Sequence, residues 1–452
     1  MKKISAIIIV SAVLLAFTAS LHALTIQEAV SYTITNNPKS QEFESTLQIT
    51  KTDLDTAESE YLPTLDLVSQ IGEEYTEDDN SNFVAKDNLS YYENALTLRW
   101  NIFQGFGTKH KVSYQEAQIH SAQMKYLEVS NHVAFETVKT YLNMLRSNDL
   151  LKSAEDEVEI NEKLHKDVMA LFKGGSTIKS EVTKIETSLE LSRANLVAAQ
   201  NNSVDTVFHF EKVFGLFVKK DQLESFEDIN QIQIDINGTI ADNRKLAYTN
   251  NPSILASLSN IKAAKLLRKQ EKNNYYPTID LLAQQNLDQN TYGLEGDKNR
   301  ARVGVELRWN FYNGGRDDIN DLRNFHKVNK EVTVFNDKQR EVVEGLELGF
   351  SAYENLTNRL VYLNKYNALA EETLRLQQEE YKLGRRTILD ILAAQRDYIN
   401  SNNQIIEANY DLLTAKYRIL DAQGSLVKTI IPEVLDVTEI EDIYDNKYKY
   451  IN

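Results

Sequence analysis

The sequence predicts an α+β fold written twice, each copy pairing long antiparallel helices of coiled-coil character with one β-hairpin. Three observations predict it: an internal repeat, the placement of the prolines, and a switch of hydrophobic period from helical to two and back. The repeat comes first, because missing one misassigns a whole fold. "LTIQEAVSYTITNNP" (from Leu24) matches "GTIADNRKLAYTNNP" (from Gly238), and "YLPTLDL" (from Tyr61) matches "YYPTIDL" (from Tyr275), both 214 residues on. "LRWNIFQGF" (from Leu98) and "LRWNFYNGG" (from Leu307) match at 209, as do "FKGG" (from Phe172) and "YKLG" (from Tyr381). The five-residue difference falls between the P-T-x-D-L and LRWN phrases, where a tolerant surface loop belongs. The copies span 24–215 and 238–424, joined by a 216–237 linker and followed by an acidic 425–452 tail.

Each copy opens on a helix-start signature, Thr25 with Glu28 and Thr239 with Asp242, in which hydroxyl and acid satisfy each other's backbone amides. Pro38 and Pro252 interrupt this helix, and Pro63 and Pro277 end the next; the fifth proline is Pro432. A proline inside a helix costs about 3 kcal/mol, so the proline-free spans between can hold very long helices. After Pro63 and Pro277 the period becomes two. Leu96, Leu98, Trp100 and Ile102 alternate with polar or small residues, as do Val303, Val305, Leu307, Trp309 and Phe311. This is a strand with one apolar and one wet face. Each copy therefore contributes a hairpin, about 64–103 and about 278–312, with strands of the length that crosses a bilayer when tilted.

Four strands cannot close a barrel, and lipid tolerates no open edge. Either the hairpins pack on helices in a soluble domain, or several chains pool their strands; three chains would give twelve. Helical periodicity then returns. From Asp317 to Leu383 no strong breaker occurs, a rod on the order of 100 Å at about 1.5 Å per residue. Within it Leu346, Tyr353, Leu360 and Leu374 hold one heptad core position, and Val342, Leu356, Leu363 and Ala370 the other, with Asn367 a polar exception. The matching span is Lys109 to Lys173. Glycine turns at Gly174, Gly175 and Gly384 send helices back.

Composition removes several functions. The chain of 452 residues has 66 acidic and 50 basic side chains, a net charge of −16, unlike a non-specific nucleic-acid binder, which neutralises phosphates with Lys and Arg. With no cysteine, disulfides and thiolate chemistry are excluded. The histidines form no metal-ligand pattern, no phosphate loop or nucleophile-elbow motif occurs, and neither enzyme activity, metal nor cofactor is expected. Lys2 and Lys3 followed by the apolar run Ile4–Phe17 form a signal peptide over 1–23, too short to span a bilayer as a helix.

These phrases, above all "YKLGRRTILDILAAQ" (Tyr381 to Gln395), resemble the TolC family of outer-membrane efflux and secretion channels over nearly the whole mature chain. "LRWNIFQGFGT" and "FKGGSTIKSEV" look more like the members serving type I protein secretion. The resemblance implies an α+β membrane protein in the outer membrane of a Gram-negative bacterium. It implies a homotrimer whose hairpins pool into a 12-stranded β-barrel in outer-membrane lipid. The coiled-coil helices continue as a periplasmic α-barrel, which docks a periplasmic adaptor (membrane fusion) protein and an inner-membrane ABC or proton-driven transporter. The expected function is the exit channel of a tripartite exporter, with type I protein secretion ahead of small-molecule efflux. A periplasmic coiled-coil scaffold without a pore would leave the alternating strands unexplained.

The resemblance also assigns residues. Tyr381 and Arg386 match the gate tether, with Glu181 as partner acid where the family has Asp. Asp390 matches an acidic pore constriction, although Ala393 stands where the family places a second acid ring. Independently, Thr387 and Asp390 have the spacing of a capping box. Gly174, Gly175 and Gly384 mark the turns that meet the adaptor, and Gly175 and Gly384 are needed there in any case because such turns favour positive φ. Trp100 and Trp309 are placed either as a membrane-interface girdle or as strand-end aromatics packed on the helix below.

Overall fold

The computed structural model describes residues 23–75, 88–231 and 238–431. The expected signal peptide (save Ala23), the tip of the first hairpin, part of the linker and the tail beyond Ile431 lie outside the described residues. The elements are α1 (Ile26–Asn36), α2 (Pro38–Ser59), β1 (Thr64–Glu74), β2 (Leu89–Gln104), α3 (Gly107–Lys173), α4 (Lys179–Phe214) and the short α5 (Phe226–Gln231). The same order then recurs as α6 (Ile240–Asn250), α7 (Pro252–Glu271), β3 (Thr278–Gln289), β4 (Asp297–Arg308), α8 (Arg316–Lys382), α9 (Ile388–Gln423) and α10 (Leu426–Ile430).

Both predicted capping boxes form. Glu28 N–H donates to Thr25 Oγ1 (3.1 Å) while Thr25 N–H donates back to Glu28 Oε2 (3.0 Å), and Thr239 with Asp242 repeats the exchange. Pro38 and Pro252 each open a second helix at its first position, where a missing N–H costs nothing. α3 and α8 are unbroken over 67 residues each.

The chain divides into two compact units. One comprises residues up to Glu42, 127–252 and those from Arg340 onward. Its largest core gathers Ile26, Val30, Val138, Tyr141, Phe210, Phe214 and Tyr417. Tyr141 is fully buried; its hydroxyl donates to Leu24 O (2.6 Å) and accepts from Glu224 N–H (2.9 Å), and burial pushes its phenol well above the usual range. The heptad residues of α8 meet α9: Leu346, with its neighbour Phe350, packs with Ile419, and Leu360 and Leu363 with Ala408. The polar exception, Asn367, accepts a hydrogen bond from Ser401 Oγ (2.7 Å). Far along the same helices Val168, Val182, Ile185, Leu374, Ile388 and Ile391 form a separate core beside the glycine turns.

The other unit, Phe43–Tyr126 with Ser253–Gln339, holds one four-stranded antiparallel sheet in the order β1-β2-β3-β4. The two hairpins are joined through β2 and β3, with Trp100 opposite Leu281 and Asn101 opposite Asp280, and a register shift between Asn101 and Phe103. Below the sheet the Arg268 guanidinium grips Asp321 through two bonds of 2.8 Å, and Tyr275 Oη donates to Asp318 (2.8 Å). The sequence pattern runs the last strand on to Phe311, but β4 ends at Arg308. Arg308 faces Thr278, and the next residue of that neighbour is Pro277, which has no N–H to donate.

Candidate functional site

Two features of the chain bear on function: the two faces of the sheet, and the tips where long helices turn. Opposed residues in an antiparallel pair share a face, so register sorts the sheet. On one face Leu65, Leu98, Ala283 and Val303 lie in one row across all four strands, and Trp100, Leu281 and Val305 in another. This face is open: Ile71 is 85%, Val303 79% and Val305 69% exposed. A contiguous exposed apolar surface of this kind is untenable in water and suits hydrocarbon. The opposite face carries Arg99, Asn101, Asp280, Asp288, Arg300 and Arg308. Arg99 pairs with Asp280 (3.1 Å), Asn101 Nδ2 donates to the same carboxylate (2.8 Å), and Arg300 pairs with Asp288 (2.8 Å). The alternation expected for membrane strands is therefore present on all four. Trp100 Nε1–H donates to Tyr61 O (2.9 Å), whereas Trp309 lies beyond β4 and packs on Phe311, ring centroids 4.6 Å apart.

The tips are built by one backbone device used twice. Gly175 and Gly384 have φ of 75° and 72°, which glycine adopts without penalty. Ser176 N–H donates to Leu171 O and Arg385 N–H to Glu380 O, closing the last helical turn over its own carbonyls. Gly174, one residue earlier, keeps negative φ and donates to Ala170 O (3.0 Å).

The side chains differ between the turns. Tyr381 Oη donates to Glu181 Oε2 (3.3 Å), and Thr177 Oγ1 donates to the same oxygen. Burial and the neighbouring Glu181 carboxylate push the Tyr381 phenol above its usual value, so it stays protonated and able to donate. Tyr381 and Glu181 are thus brought together. Arg386 is not: its Nε–H donates to Glu380 (2.7 Å), and that carboxylate holds the guanidinium charged. The partner of Arg386 is the acid six residues before it, across the turn, rather than the Glu181 that the family resemblance suggested. Asp390 accepts from the Thr387 N–H (3.0 Å) and hydroxyl (2.9 Å), and these bonds hold its carboxyl below the usual range. No sequence pattern pointed to Thr177, nor to the buried Asn161 and Gln395 beneath the tip, where Gln395 Nε2–H donates to Asn161 Oδ1 (3.0 Å).

Among the described residues no cluster of acids and histidines could hold a metal ion, and no helix is long and apolar enough to cross a membrane. A sheet with one apolar and one ion-paired face, and long helices that turn back at glycine tips, are features expected of an outer-membrane channel protein. The pattern of the family described as "Outer membrane efflux protein" matches residues 29–215 and 243–425, once in each half. The chain belongs to that family, the TolC family anticipated from its motifs. It is similar to the outer membrane efflux protein BepC of Brucella suis (24% identical, over 73% of this chain and 72% of that protein). It is also similar to the outer membrane protein TolC of Escherichia coli (22%, over 82% and 76%) and to the proteases secretion protein PrtF of Dickeya chrysanthemi (18%, over 57% and 56%). Solved structures share the fold. That of CusC superposes with a TM-score of 0.78 at 13% identity, covering 88% of this chain and 92% of that one. The Campylobacter jejuni CmeC outer membrane channel superposes with 0.76 at 13% identity, covering 92% and 88%.

Proposed function

We propose that the mature chain, freed of a signal peptide ending at Ala23, assembles as a homotrimer. Its three sheets close a twelve-stranded outer-membrane barrel, and its helices form a periplasmic duct that receives cargo from an adaptor and an inner-membrane transporter. One observation carries this: a single sheet whose apolar face is bare and whose outer strands, β1 and β4, each have a row of backbone groups with no strand beside them among the described residues. In lipid each unsatisfied group costs several kcal/mol, so a membrane sheet with two open edges requires more strands. Exposed apolar residues at heptad spacing on α8 (Tyr362, Leu369 and Leu376) support the same assembly, since they have the pattern of a helix seam without its partner.

In this reading Tyr381 and Glu181 hold the tip shut, with Arg386 as an exposed, readily exchanged ion pair, and Asp390 rings the constriction. Gly174, Gly175 and Gly384 shape the turns presented to the adaptor. Exposed pairs are individually weak, about 0–1 kcal/mol at the median, which suits a closure that must yield when a partner docks. We favour type I protein secretion, supported by the relative named a proteases secretion protein, PrtF; the better-covered match to an efflux protein, BepC, favours small-molecule efflux as the second reading. Mass spectrometry of culture supernatants from a deletion strain and its complemented parent separates them. Loss of one or a few large secreted proteins with drug tolerance unchanged is expected. An intact supernatant with raised intracellular solute would replace secretion by efflux.

A further inference from the structure

The internal repeat relates the closed seam of the sheet to its open edges. β2 and β4 correspond at an offset of 209 residues, so Arg99, Trp100 and Asn101 match Arg308, Trp309 and Asn310; β1 and β3 correspond at 214, so Asp66 matches Asp280. The hairpin registers obey these offsets, with Thr64 opposite Arg99 and Thr278 opposite Arg308. Yet β2 continues to Gln104 while β4 stops at Arg308. The last residues of β2 have only β3 beside them: Trp100 faces Leu281, Asn101 faces Asp280, Phe103 faces Ile279 and Gln104 faces Thr278. What β4 lacks, among the described residues, is the equivalent of β3 on its open side. Phe311 and Tyr312, which would occupy that stretch, are both 82% exposed.

We propose that residues 309–313 extend β4 along β1 of a second copy of this chain in the register of the β2–β3 seam, so that Arg308 and Asn310 close on Asp66 of the partner subunit. This rests on the trimeric reading above and specifies its register. Carrying the observed pairs across by the two offsets sets Asn310 opposite Asp66 of the partner subunit, Trp309 opposite Leu67 of the partner subunit and Arg302 opposite Glu74 of the partner subunit. The Arg99–Asp280 and Asn101–Asp280 contacts then recur as Arg308 and Asn310 on that Asp66. Charge favours the transfer. In the closed seam Glu93 faces Asp288, a like pair, whereas the same position of the new seam sets Arg302 against a glutamate. Opposite charges directly across a sheet stabilise and like charges do not. The register also keeps faces aligned, since Trp309 and Leu67 both belong to the apolar face; a one-residue slip would turn the apolar side chains of one strand to the wet side.

The chain has no cysteine of its own, so paired cysteines can read the register. Asn310→Cys is combined in turn with Thr64→Cys, Asp66→Cys and Val68→Cys in the full-length protein in outer membranes, and oxidised. Only directly opposed residues come close to the Cβ separation of about 3.5–4.5 Å that a disulfide spans. The inter-subunit band is expected to be strongest for Asn310→Cys with Asp66→Cys. Separately, Asp66→Arg should lose the trimer read on native gels, and adding Arg308→Asp should restore it. A strongest band with Thr64→Cys or Val68→Cys in an intact trimer would overturn the register and leave the trimer standing. Chains that stay monomeric would overturn both.

Discussion

The two helix tips of this chain share a backbone and differ in chemistry. Each ends its helix with a glycine at positive φ and the same closing hydrogen bonds, and both rest on one core around Ile185, Val182 and Ile388. After the second turn Thr387 caps α9 and ties Asp390 to the helix start. After the first turn the matching residue is Ile178, which has no hydroxyl, and the matching acid, Glu181, instead accepts from Tyr381 and Thr177. The comparison teaches how the two copies of one element come to differ. Where Ile178 stands in place of a capping hydroxyl, the matching acid pairs instead with a tyrosine of the other copy.

Perturbing what the tips share should affect both most. Ile185→Ala, in the common core, should destabilise the protein by about 2–5 kcal/mol, read as a lower denaturation midpoint, and should loosen both turns alike in hydrogen exchange. Next come the glycines. An added Cβ at Gly175 or Gly384 meets nothing within 4 Å, so only the left-handed backbone is penalised, at about 1–2 kcal/mol. Gly175→Ala and Gly384→Ala should therefore cost the same in thermal melts; unequal costs would mean that the turns are not equivalent.

The remaining changes should separate the tips. Tyr381→Phe removes one long hydrogen bond, about 0.5–1.5 kcal/mol, and should raise channel conductance while hardly moving the melting temperature. Ile178→Thr, which restores the missing cap, should draw Glu181 back to its own helix and raise conductance too, with the fold made no weaker. The smallest effect concerns acid. The Asp390 carboxyl is held below its unfolded range, so its contribution is present above that range and is lost as pH falls through the lower, folded value. Wild type should lose tip protection in acid, and Asp390→Asn should show no such pH dependence.

Much of this was legible in the sequence because the repeat states each element twice. The capping boxes at Thr25 and Thr239, the long helices and the glycine turns follow from local rules, and they formed where the residues placed them. The apolar row Leu96, Leu98, Trp100 betrayed a two-faced strand because the period of a strand is two, and only the resemblance to the TolC family turned its apolar face to lipid. What escaped depends on competition between partners. Arg386 had acids on both sides of its turn, and spacing alone does not rank Glu380 against Glu181. The end of β4 escaped for a related reason: Trp309 and Phe311 keep the alternation of a strand, but a strand also needs a neighbour, and Pro277 ends the one within the chain. The Tyr141 hydroxyl joining Leu24 to Glu224 pairs residues too far apart in sequence for any local pattern to show.

The central claim, that this four-stranded sheet is one third of a closed barrel, is tested most directly by native mass spectrometry of the full-length protein released from detergent micelles. The account predicts a particle of three chains that persists at low concentration. A stable monomer, or a dimer with the sheet edges still open to exchange, would contradict it.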